Sequence, residues 1–430
     1  MSDNDTYHFL NQLLQFGWRL GLESITSLLE AMGDPHLRFK SVQIAGTNGK
    51  GSTAAMLDSM YRMDGYKTGL YTSPHLVDVE ERIKVNGENI AKSKLAHYLE
   101  QNREGITRIG CTYFEALTAV AFQYFADEQV DLAIIEVGLG GRFDATNVIV
   151  PLVSVITEID LDHTEHLGRA IKQIAKEKAG IIKKKVPCVS GAHKKSVNRV
   201  LHDKCVEMDA PFYAVKEMSQ SRITRIGEEG SEFDLILPER SLHALETGLA
   251  GRHQVRNAAL AIFATEILRQ QNFFLEEEAF RAGLRSVNWP ARLQKLQDSP
   301  KVVIDVAHNP AGMKELLRSL KEVFRFNRLI MVIGLLVDKD YKTISRMIAL
   351  EADFVVITRP DSERALSAEK FGQEIASHTA SYAICPSITE AFNKAVAQAQ
   401  KDDLICVTGS HYVMGQFLKS HVSKIVVKAR

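Results

Sequence analysis

Short apolar runs alternate with amphipathic, helix-like runs along the first half of the chain, and this alternation limits the folds that it can adopt. The runs read as strands are almost continuously apolar, which is typical of a parallel sheet covered on both faces. The sequence therefore predicts an α/β fold whose strands are joined by helices. The predicted strands are Val42–Ala45, Thr68–Tyr71, Leu132–Val137, Leu152–Thr157 and Val186–Ser190, and the predicted helices include Thr53–Met63, Phe114–Phe125 and Ala170–Ile182.

A second alternating series begins near residue 300. Between the two series, residues 215–245 are polar and contain glycines around one strand-like run, Phe233–Leu237, and this pattern favours antiparallel strands. A helix is predicted at Asn257–Gln270. In the second series, the strands are Val302–Val306, Leu329–Ile333, Phe354–Ile357 and Leu404–Val407, and the helices include Ala311–Val323 and Ser387–Ala399.

The chain of 430 residues is too long for one compact core, and two or three domains are expected. The gap between the two series falls near Trp289–Pro300. We therefore predict a larger α/β domain at residues 1–295 with a parallel sheet, and a smaller, Rossmann-like α/β domain at residues 296–430.

A glycine-rich turn, within Ile44–Ser52, separates a predicted strand from a predicted helix. Glycines let backbone N–H groups curl around an anion, and the start of a helix adds a favourable dipole. Lys50 would place a positive charge on the terminal phosphates of a nucleotide. The match to the common phosphate loop is imperfect, because Gly51 stands where a hydroxyl usually follows the lysine. The turn is thus a candidate phosphate loop, and the alternative is a simple tight turn.

Further polar residues follow predicted strands, where ligands bind in open α/β sheets. Ser73 could be a hydroxyl ligand or part of a Ser-Pro turn. Glu136 ends an apolar run, and a buried carboxylate is costly unless it is paired or metal-bound, so it indicates a magnesium-binding acid. The alternative for Glu136 is a strand-end carboxylate that faces water. His163 could bind a metal or a phosphate oxygen, whereas Lys178 would by itself be read as a surface lysine.

A second group of polar residues surrounds the predicted boundary and the strand ends of the second domain. At these positions the side chains would line a cleft between the two domains. The residues are Asn257 and Arg292 near the boundary, Asp305 and His308 after Val302–Val306, and Ser410 and Tyr412 after Leu404–Val407.

Composition excludes several classes of function. The 53 basic and 53 acidic side chains give a formal net charge of zero, which argues against a nucleic-acid partner. Five scattered cysteines fit a reducing compartment. The sequence shows no signal-peptide pattern and no apolar run near the roughly 18 residues that a membrane span needs. We therefore expect a cytoplasmic protein with small-molecule substrates and no membrane partner.

Together these clusters resemble the folylpolyglutamate synthases, including the bifunctional bacterial enzymes that also act as dihydrofolate synthases. The resemblance covers nearly the whole chain, and the glycine after Lys50 is that family's own variant of the loop. It is carried by Gly46–Ser52, Thr72–Leu76, Glu136–Gly141, Asp144–Asn147, Asp162 with His163, Leu167 with Gly168, Glu177–Ile181, Asp305 and Ala307–Pro310.

The resemblance implies an ATP- and magnesium-dependent ligase that joins L-glutamate to a folate in a cleft between a nucleotide-binding domain of the P-loop type and a smaller Rossmann-like domain. The folate carboxylate would attack ATP to form an acyl phosphate, which the glutamate amine would then attack. His308 or Asp305 would take or orient the proton of the amine, and the sequence does not choose between them. A monomer is expected, and whether dihydropteroate is also a substrate stays open.

The resemblance also implies roles for individual residues. The ATP-binding residues would be Asn48, Gly49, Lys50, Gly51, Ser52, Asn257, Arg292 and Asp305. One magnesium ion would be held by Ser73 and Glu136, and a second by His163 and Lys178, which can be carbamylated in the family. The pterin-side contacts would be Tyr113, Phe114, Glu115, Phe143, Asp144 and Ala145, and the glutamate-side contacts His308, Ser410 and Tyr412. The catalytic residues would be Lys50, Lys178, Asp305 and His308.

Two other functions compete with this interpretation. A muramyl-peptide ligase shares the acyl-phosphate chemistry and a Gly-Thr-Asn-Gly-Lys loop, but only about 40 residues precede the loop here, and no extra domain for a UDP-sugar is apparent. A nucleotide-binding switch without ligase activity would not need the second-domain residues Asp305, His308, Ser410 and Tyr412.

Overall fold

Two large sheets with helices on both faces form most of the structure. The computed structural model describes residues 3–17, 21–379 and 381–425. The strands are β1 (Lys40–Ala45), β2 (Thr68–Tyr71), β3 (Ile83–Val85), β4 (Glu88–Asn89), β5 (Leu132–Glu136), β6 (Val153–Ile156), β7 (Cys188–Ser190), β8 (Phe212–Ala214), β9 (Gln220–Gly227), β10 (Gly230–Ile236), β11 (Ser241–Thr247), β12 (Gln294–Asp298), β13 (Lys301–Ile304), β14 (Leu329–Ile333), β15 (Phe354–Ile357), β16 (Tyr382–Ile384) and β17 (Leu404–Thr408).

The helices vary in length from one turn to five. They are α1 (Asp3–Gln12), α2 (Glu23–Ala31), α3 (Lys50–Met63), α4 (Lys92–Gln101), α5 (Arg103–Ile109), α6 (Tyr113–Asp127), α7 (Thr164–Leu167), α8 (Ile171–Lys178), α9 (Lys195–Glu207), α10 (Val215–Met218), α11 (Arg252–Arg269), α12 (Glu277–Ser286), α13 (Pro310–Val323), α14 (Tyr341–Ala349), α15 (Ala368–Ala376), α16 (Ile388–Gln398) and α17 (His411–Ile425). Within the described residues, no helix is long and apolar enough to cross a membrane.

The first sheet has the strand order β4-β3-β2-β5-β1-β6-β7-β8. Strands β2, β5, β1, β6, β7 and β8 run parallel, while β3 and β4 form an antiparallel edge. The five strands predicted in this region are confirmed. Their side chains are buried on both faces of the sheet, which explains why they are visible in the sequence as apolar runs. The carboxyl ends of the parallel strands therefore meet at one edge, where β1 leads into the glycine-rich turn.

Helix α3 is buried along most of its length between the first sheet and two later helices. Its Leu57 and Met60 belong to a core cluster that also contains side chains of α11 and α12. A Cβ atom on Gly283 of α12 would lie only 2.6 Å from the Cα of Met60, so the two backbones meet directly. Burying each large apolar side chain contributes roughly 1.5–3 kcal/mol. This packing fixes the start of α3, and with it the turn before Lys50.

Most predicted boundaries lie within three residues of those in the structure, and two helices differ by more. The helix expected at Ala170–Ile182 ends at Lys178 and tightens into a 3₁₀ turn at Ala179–Ile181. The reason lies at Gly180, which packs directly on the backbone of Arg142. The helix expected at Asn257–Gln270 begins earlier, at Arg252, because Gly251 with φ near 101° ends the preceding chain segment.

The expected antiparallel segment contains three strands rather than one. The order is β11-β10-β9, and both pairings are antiparallel. The fully buried Phe233 and Leu235 of β10 join the same core cluster as α11. Strands β9 and β11 escaped prediction because most of their side chains are exposed or only half-buried.

The second sheet has the order β12-β13-β17-β14-β15-β16, with β12 antiparallel and the others parallel. Its four predicted strands are confirmed. The division at 295/296 falls inside β12, which pairs with β13 and so belongs to this sheet. The domain division itself stays a prediction.

The two sheets face each other across a cleft and also touch away from it. Gly415 of α17 lies against the carbonyl oxygen of Leu76, in the segment that follows β2. A Cβ atom at position 415 would collide with that oxygen. The second sheet is thus packed closely against the first at this point.

Candidate active site

One cavity of about 830 Å³ lies between the carboxyl edges of the two sheets. Every residue that the sequence predicts for the site lines this cavity except Tyr113. Tyr113 lies behind the wall, with the Arg82 guanidinium 5.4 Å from its ring centre. The lining residues that were predicted are Asn48, Gly49, Lys50, Gly51, Ser52, Ser73, Phe114, Glu115, Glu136, Phe143, Asp144, Ala145, His163, Lys178, Asn257, Arg292, Asp305, His308, Ser410 and Tyr412.

The glycine-rich turn leaves no room for a side chain at three positions, the first being Gly46, where a Cβ atom would collide with the Thr157 hydroxyl oxygen. Gly49 has φ near 90°, and a Cβ atom there would lie 2.5 Å from the side-chain oxygen of Asn257. A Cβ atom on Gly51 would come within 2.8 Å of the Trp289 ring nitrogen. Helix α3 begins at Lys50, so the N–H groups of its first turn have no acceptor within the helix. The turn therefore offers an anion site of backbone N–H groups.

Lys50 and Glu136 face each other at the floor of the cavity. The Lys50 Nζ is 3.9 Å from Glu136 Oε1, and the Ser73 N–H donates to Glu136 Oε2 at 3.1 Å. Glu136 is only 4% exposed. Burial raises the pKa of Glu136, while Lys50 and the Ser73 N–H oppose that rise. Such a buried and loosely paired carboxylate is suited to receive a cation.

Lys178 is buried at the end of α8, close to the glycine-rich turn. Its Nζ donates a hydrogen bond to the carbonyl oxygen of Gly46 at 2.7 Å. Burial first, and the nearby charge of Lys50 second, lower the pKa of Lys178 from 10.5 to about 7. Unlike an ordinary surface lysine, Lys178 therefore has an accessible neutral amine form near physiological pH.

His163 lines the same cavity, at the start of α7. Its Nε2 is 3.2 Å from Lys339 Nζ and its Nδ1 is 3.8 Å from an Asp338 carboxylate oxygen. Burial lowers the pKa of His163 to about 4, so the imidazole is neutral, which is the form that binds metals. The described residues contain no cluster of three or more His, Cys, Asp or Glu side chains that could hold a metal by themselves. Phosphate oxygens or waters would have to complete any site here.

Asp305 and Arg292 line the cavity near the segment that connects the first sheet to the second. Both carboxylate oxygens of Asp305 accept backbone N–H groups, one from Leu293 and one from Ala307, each at 2.8 Å. Burial lowers the pKa of Arg292, while Asp305 and Glu136 oppose that change. Asp305 thus orders the chain around Arg292 through its own hydrogen bonds.

His308 lies at the edge of the second sheet and reaches Asp162, which follows strand β6 of the first sheet. Its Nδ1 is 2.8 Å from the Val306 carbonyl oxygen, and its Nε2 is 3.3 Å from Asp162 Oδ2. Asp162 also accepts from Lys339 Nζ at 2.7 Å, and these neighbours hold the pKa of Asp162 far below its usual range. The imidazole is therefore oriented by a backbone carbonyl on one side and by a carboxylate on the other.

The predicted pterin-side residues divide into two kinds. The carboxylates of Glu115 and Asp144 form hydrogen bonds with the nearby backbone. Glu115 accepts from the Thr112 N–H at 2.7 Å, and Asp144 accepts from the Leu139 N–H at 2.8 Å. Phe114 and Phe143 present rings to the cavity, and Phe143 is 39% exposed. The aromatic rings are therefore the more direct candidates for ligand contact.

Several lining residues were missed by the sequence analysis. Lys339 follows β14, so the strand-end rule used elsewhere could have found it. Asn309, which follows His308 directly, is buried beside the lining residues and contacts Asp162. No sequence signal marked Arg82, because it reaches the cavity from a 3₁₀ turn at Val79–Arg82.

Two sheets share one cavity in which a candidate anion-binding turn faces a buried carboxylate, and together with the following family matches this arrangement assigns the chain to the ATP-dependent ligases of the Mur ligase type. The sequence supports this class directly. Residues 44–265 match the family described as "Mur ligase middle domain", and residues 291–411 match "Mur ligase, glutamate ligase domain".

Comparison with individual relatives identifies the family within this class of ligases. A "Dihydrofolate synthase/folylpolyglutamate synthase" of Bacillus subtilis is 33% identical and covers 96% of this chain and 98% of its own length. The structure titled "E.coli FolC in complex with DHPP and ADP" has a TM-score of 0.88 at 30% identity and covers 99% of this chain and 98% of that one. The Yersinia pestis bifunctional folylpolyglutamate synthase/dihydrofolate synthase, complexed with AMPPNP and Mn ion, has a TM-score of 0.87 at 29% identity, with 97% of each chain covered. The chain belongs to the folylpolyglutamate synthase/dihydrofolate synthase family of Mur-type ligases.

Proposed function

We propose that this protein joins L-glutamate to a reduced folate, with ATP as the co-substrate and an acyl phosphate as the intermediate. The observation that carries the proposal is the convergence of the anion-binding turn, the Glu136 carboxylate and the His308 imidazole on one cavity. The names of the relatives and their coverage of the whole chain support it. We also propose the division into a nucleotide-binding domain at 1–295 and a glutamate-ligase domain at 296–430.

ATP would bind along the glycine-rich turn beside Asn48, with its phosphates on the N–H groups of Gly49–Ser52 and on Lys50, because the Asn48 N–H already donates to the Glu158 carbonyl oxygen. Asn257 lies beside Gly49, and Arg292 and Asp305 close the site from the hinge. Helix starts and glycine turns bind phosphate through backbone donors, so the fit rests on the local backbone.

Divalent cations fit the side chains that are present. Glu136 is a buried and loosely paired carboxylate next to Ser73, and His163 is a neutral imidazole. We propose that Ser73 and Glu136 hold one magnesium ion and that His163 and Lys178 hold a second. A neutral Lys178 amine can react with CO₂ to form a carbamate, whose oxygens are suitable ligands. When bound, the ions would offset the charge that gathers on the phosphates.

In the first step, the carboxylate oxygen of the folate forms a bond to the γ-phosphorus, and the bond to the ADP oxygen breaks. Lys50 would hold the transferred group and stabilise its charge. In the second step, the glutamate amine attacks the acyl carbon, inorganic phosphate leaves, and the amine loses a proton. Both oxygens of Asp305 accept backbone N–H groups, and both nitrogens of His308 face oxygen acceptors, so either side chain would have to change its contacts before it takes this proton.

The two remaining substrates would occupy opposite ends of the cavity. Phe114 and Phe143 would contact the pterin, while Glu115, Asp144 and Ala145 would shape that wall. His308, Ser410 and Tyr412 would contact the glutamate, and Tyr412 is 47% exposed at the cavity mouth. The position of Tyr113 behind the wall argues for an indirect contribution.

We also propose that dihydropteroate is accepted. The supporting fact is that relatives named for both activities align along almost the entire chain. The five cysteines are all free thiols, which is consistent with a reducing compartment such as the cytoplasm. A monomer is the expected state.

The test is an ADP-release assay with the purified protein, ATP and magnesium. We expect glutamate-dependent release with tetrahydrofolate and, in a separate reaction, with dihydropteroate. UDP-muramyl substrates should give none. Release that needs no amino acid would point to a nucleotide switch, and activity confined to UDP-muramyl substrates would overturn the proposal. Size-exclusion chromatography of the same sample checks the monomer.

A further inference from the structure

Asn309 connects the glycine-rich turn, which is proposed to bind the nucleotide, to the second domain through one buried side chain. Its Nδ2 donates to the side-chain oxygen of Asn48 at 3.1 Å and to Asp162 Oδ2 at 3.0 Å. Its Oδ1 accepts from the Asn48 Nδ2 at 3.4 Å and from the Gly312 N–H at 2.8 Å. Asn309 is only 2% exposed. A single amide thus contacts two segments of the first domain and the start of α13.

The contact with Asn48 is reciprocal, because each amide both donates to and accepts from the other. Such a pair requires a fixed relative orientation of the two side chains. Asn48 lies directly before Gly49 in the loop proposed to hold the phosphates. Asn309 directly follows His308, which is proposed to meet the glutamate. The pair therefore links the two substrate sites over one hydrogen-bonded contact.

Asp162 strengthens this link from the side of the first domain. Besides Asn309, it accepts from Lys339 at 2.7 Å and lies 3.3 Å from the His308 Nε2. Three groups of the second domain are therefore held on one buried carboxylate. A change in the orientation of the Asn309 amide would alter the surroundings of Asp162 and of His308 together.

Capping of α13 does not explain the choice of asparagine. The cap uses only the Oδ1 oxygen, which accepts from Gly312, and aspartate or serine caps a helix about equally well. The amide NH₂ group is needed only for the contacts with Asn48 and Asp162. The residue type is thus set by the contacts between the domains.

We propose that Asn309 is a positioning residue that couples nucleotide binding at the loop to L-glutamate binding at His308. This inference rests on the proposed function. Coupling between two ligands is reciprocal, so glutamate should tighten nucleotide binding by the same factor by which the nucleotide tightens glutamate binding. The Asn48–Asn309 pair is the element through which this factor is transmitted.

The test compares the Kd of a non-hydrolysable ATP analogue with and without saturating L-glutamate, at constant magnesium and acid substrate, by isothermal titration calorimetry. In the wild type we expect glutamate to tighten the analogue by about 5-fold or more. In Asn309→Asp, the carboxylate still caps α13 but cannot donate to Asp162 or Asn48. The ratio of the two Kd values should then fall to within about twofold of one.

Two further variants keep the result interpretable. Asn309→Ser retains a capping oxygen and introduces no charge, and it should lose the coupling as well. Ser387→Ala removes the N-cap of α16 in the same domain and should keep the wild-type ratio. Thermal melts of all variants check folding.

Either of two results would overturn the inference: a wild-type ratio near one, or a wild-type ratio that persists in both Asn309 variants. The proposed function is tested separately by glutamate-dependent ADP release from the wild type. If that activity is absent, the proposed function is wrong. If the activity is present but the Asn309 variants keep the coupling, only the inference about Asn309 fails.

Discussion

The two sheets present their carboxyl edges to the same cavity, but the polar side chains at the two edges differ in how many hydrogen bonds they already make. On the first sheet, Glu136 and Lys178 are buried with few partners, and burial shifts the pKa of each toward the uncharged form. On the second sheet, Asp305 and Ser410 already accept backbone N–H groups of their own loops. Glu136 and Lys178 on the first edge therefore stay available for a ligand, whereas Asp305 and Ser410 on the second edge hold backbone segments in place.

This difference shows that position at a strand end does not determine a role. Residues on both edges were found from their position at strand ends. The number of hydrogen bonds that each side chain already makes then separates a group available to a ligand from a group that holds the backbone. Substitutions on the first edge should change the chemistry and the metal requirement. Substitutions on the second edge should change stability and nucleotide affinity.

The largest effect is expected for Lys50→Met, which removes the cation beside Glu136. ADP release should fall by roughly 10³-fold or more, because the charge of the transferred phosphoryl group loses its main side-chain partner. The circular dichroism spectrum should be unchanged. Lys172→Met, at an exposed position on α8, is the control and should retain wild-type activity. Turnover near the wild-type rate in Lys50→Met would contradict the role of the first edge.

Lys178→Met should change how stability depends on pH in the metal-free protein. Below pH 7 the folded wild type carries the full penalty of a buried charge, and between pH 7 and 10.5 only the unfolded chain holds the proton. Above pH 10.5 neither state is charged and the penalty is gone. The unfolding free energy of the wild type should therefore rise relative to the variant from pH 7 to 10.5, by on the order of a few kcal/mol.

Urea denaturation of both proteins across this range measures that difference, which isolates Lys178 from other titrating groups. Two parallel pH profiles would show that Lys178 is not held as a neutral amine. Intact mass spectrometry in bicarbonate buffer examines the carbamate directly. A mass increase of one CO₂ that is present in the wild type and lost in Lys178→Met would support it.

Glu136→Gln should raise the magnesium concentration needed for half-maximal activity. Loss of even an indirect metal partner typically costs about 10- to 100-fold in affinity, so a ligand should cost at least as much. Magnesium titrations of ADP release give the midpoint, and Glu165→Gln, at an exposed position on α7, serves as the control. An unchanged midpoint in Glu136→Gln would exclude Glu136 as a ligand.

The smallest effect is expected on the second edge, for Asp305→Asn. The amide can accept only one of the two N–H groups, so the unfolding free energy should fall by about 1–3 kcal/mol. The KM for ATP should rise, because Arg292 loses its neighbouring charge. The magnesium midpoint should stay at the wild-type value. A shift of that midpoint as large as in Glu136→Gln would remove the distinction between the two edges.

The central strands and the main site residues could be predicted from the sequence, because buried parallel strands are visible as apolar runs and their ends mark one edge. Strands β3, β4, β8, β12 and β16 could not, since they are short and lie at or near sheet edges, with many side chains exposed or half-buried. Burial of Lys178 is a tertiary property that no local pattern reveals, and only the family resemblance singled it out. Arg82 and Asn309 act through contacts made by distant segments.

The contact between Gly415 and Leu76 sets a geometric condition on domain movement. The two backbones can approach only because position 415 has no side chain. Any larger residue there would push helix α17 away from the segment that follows β2. A single added methyl group at position 415 would therefore disturb the segment that begins with Ser73 and lines the cavity.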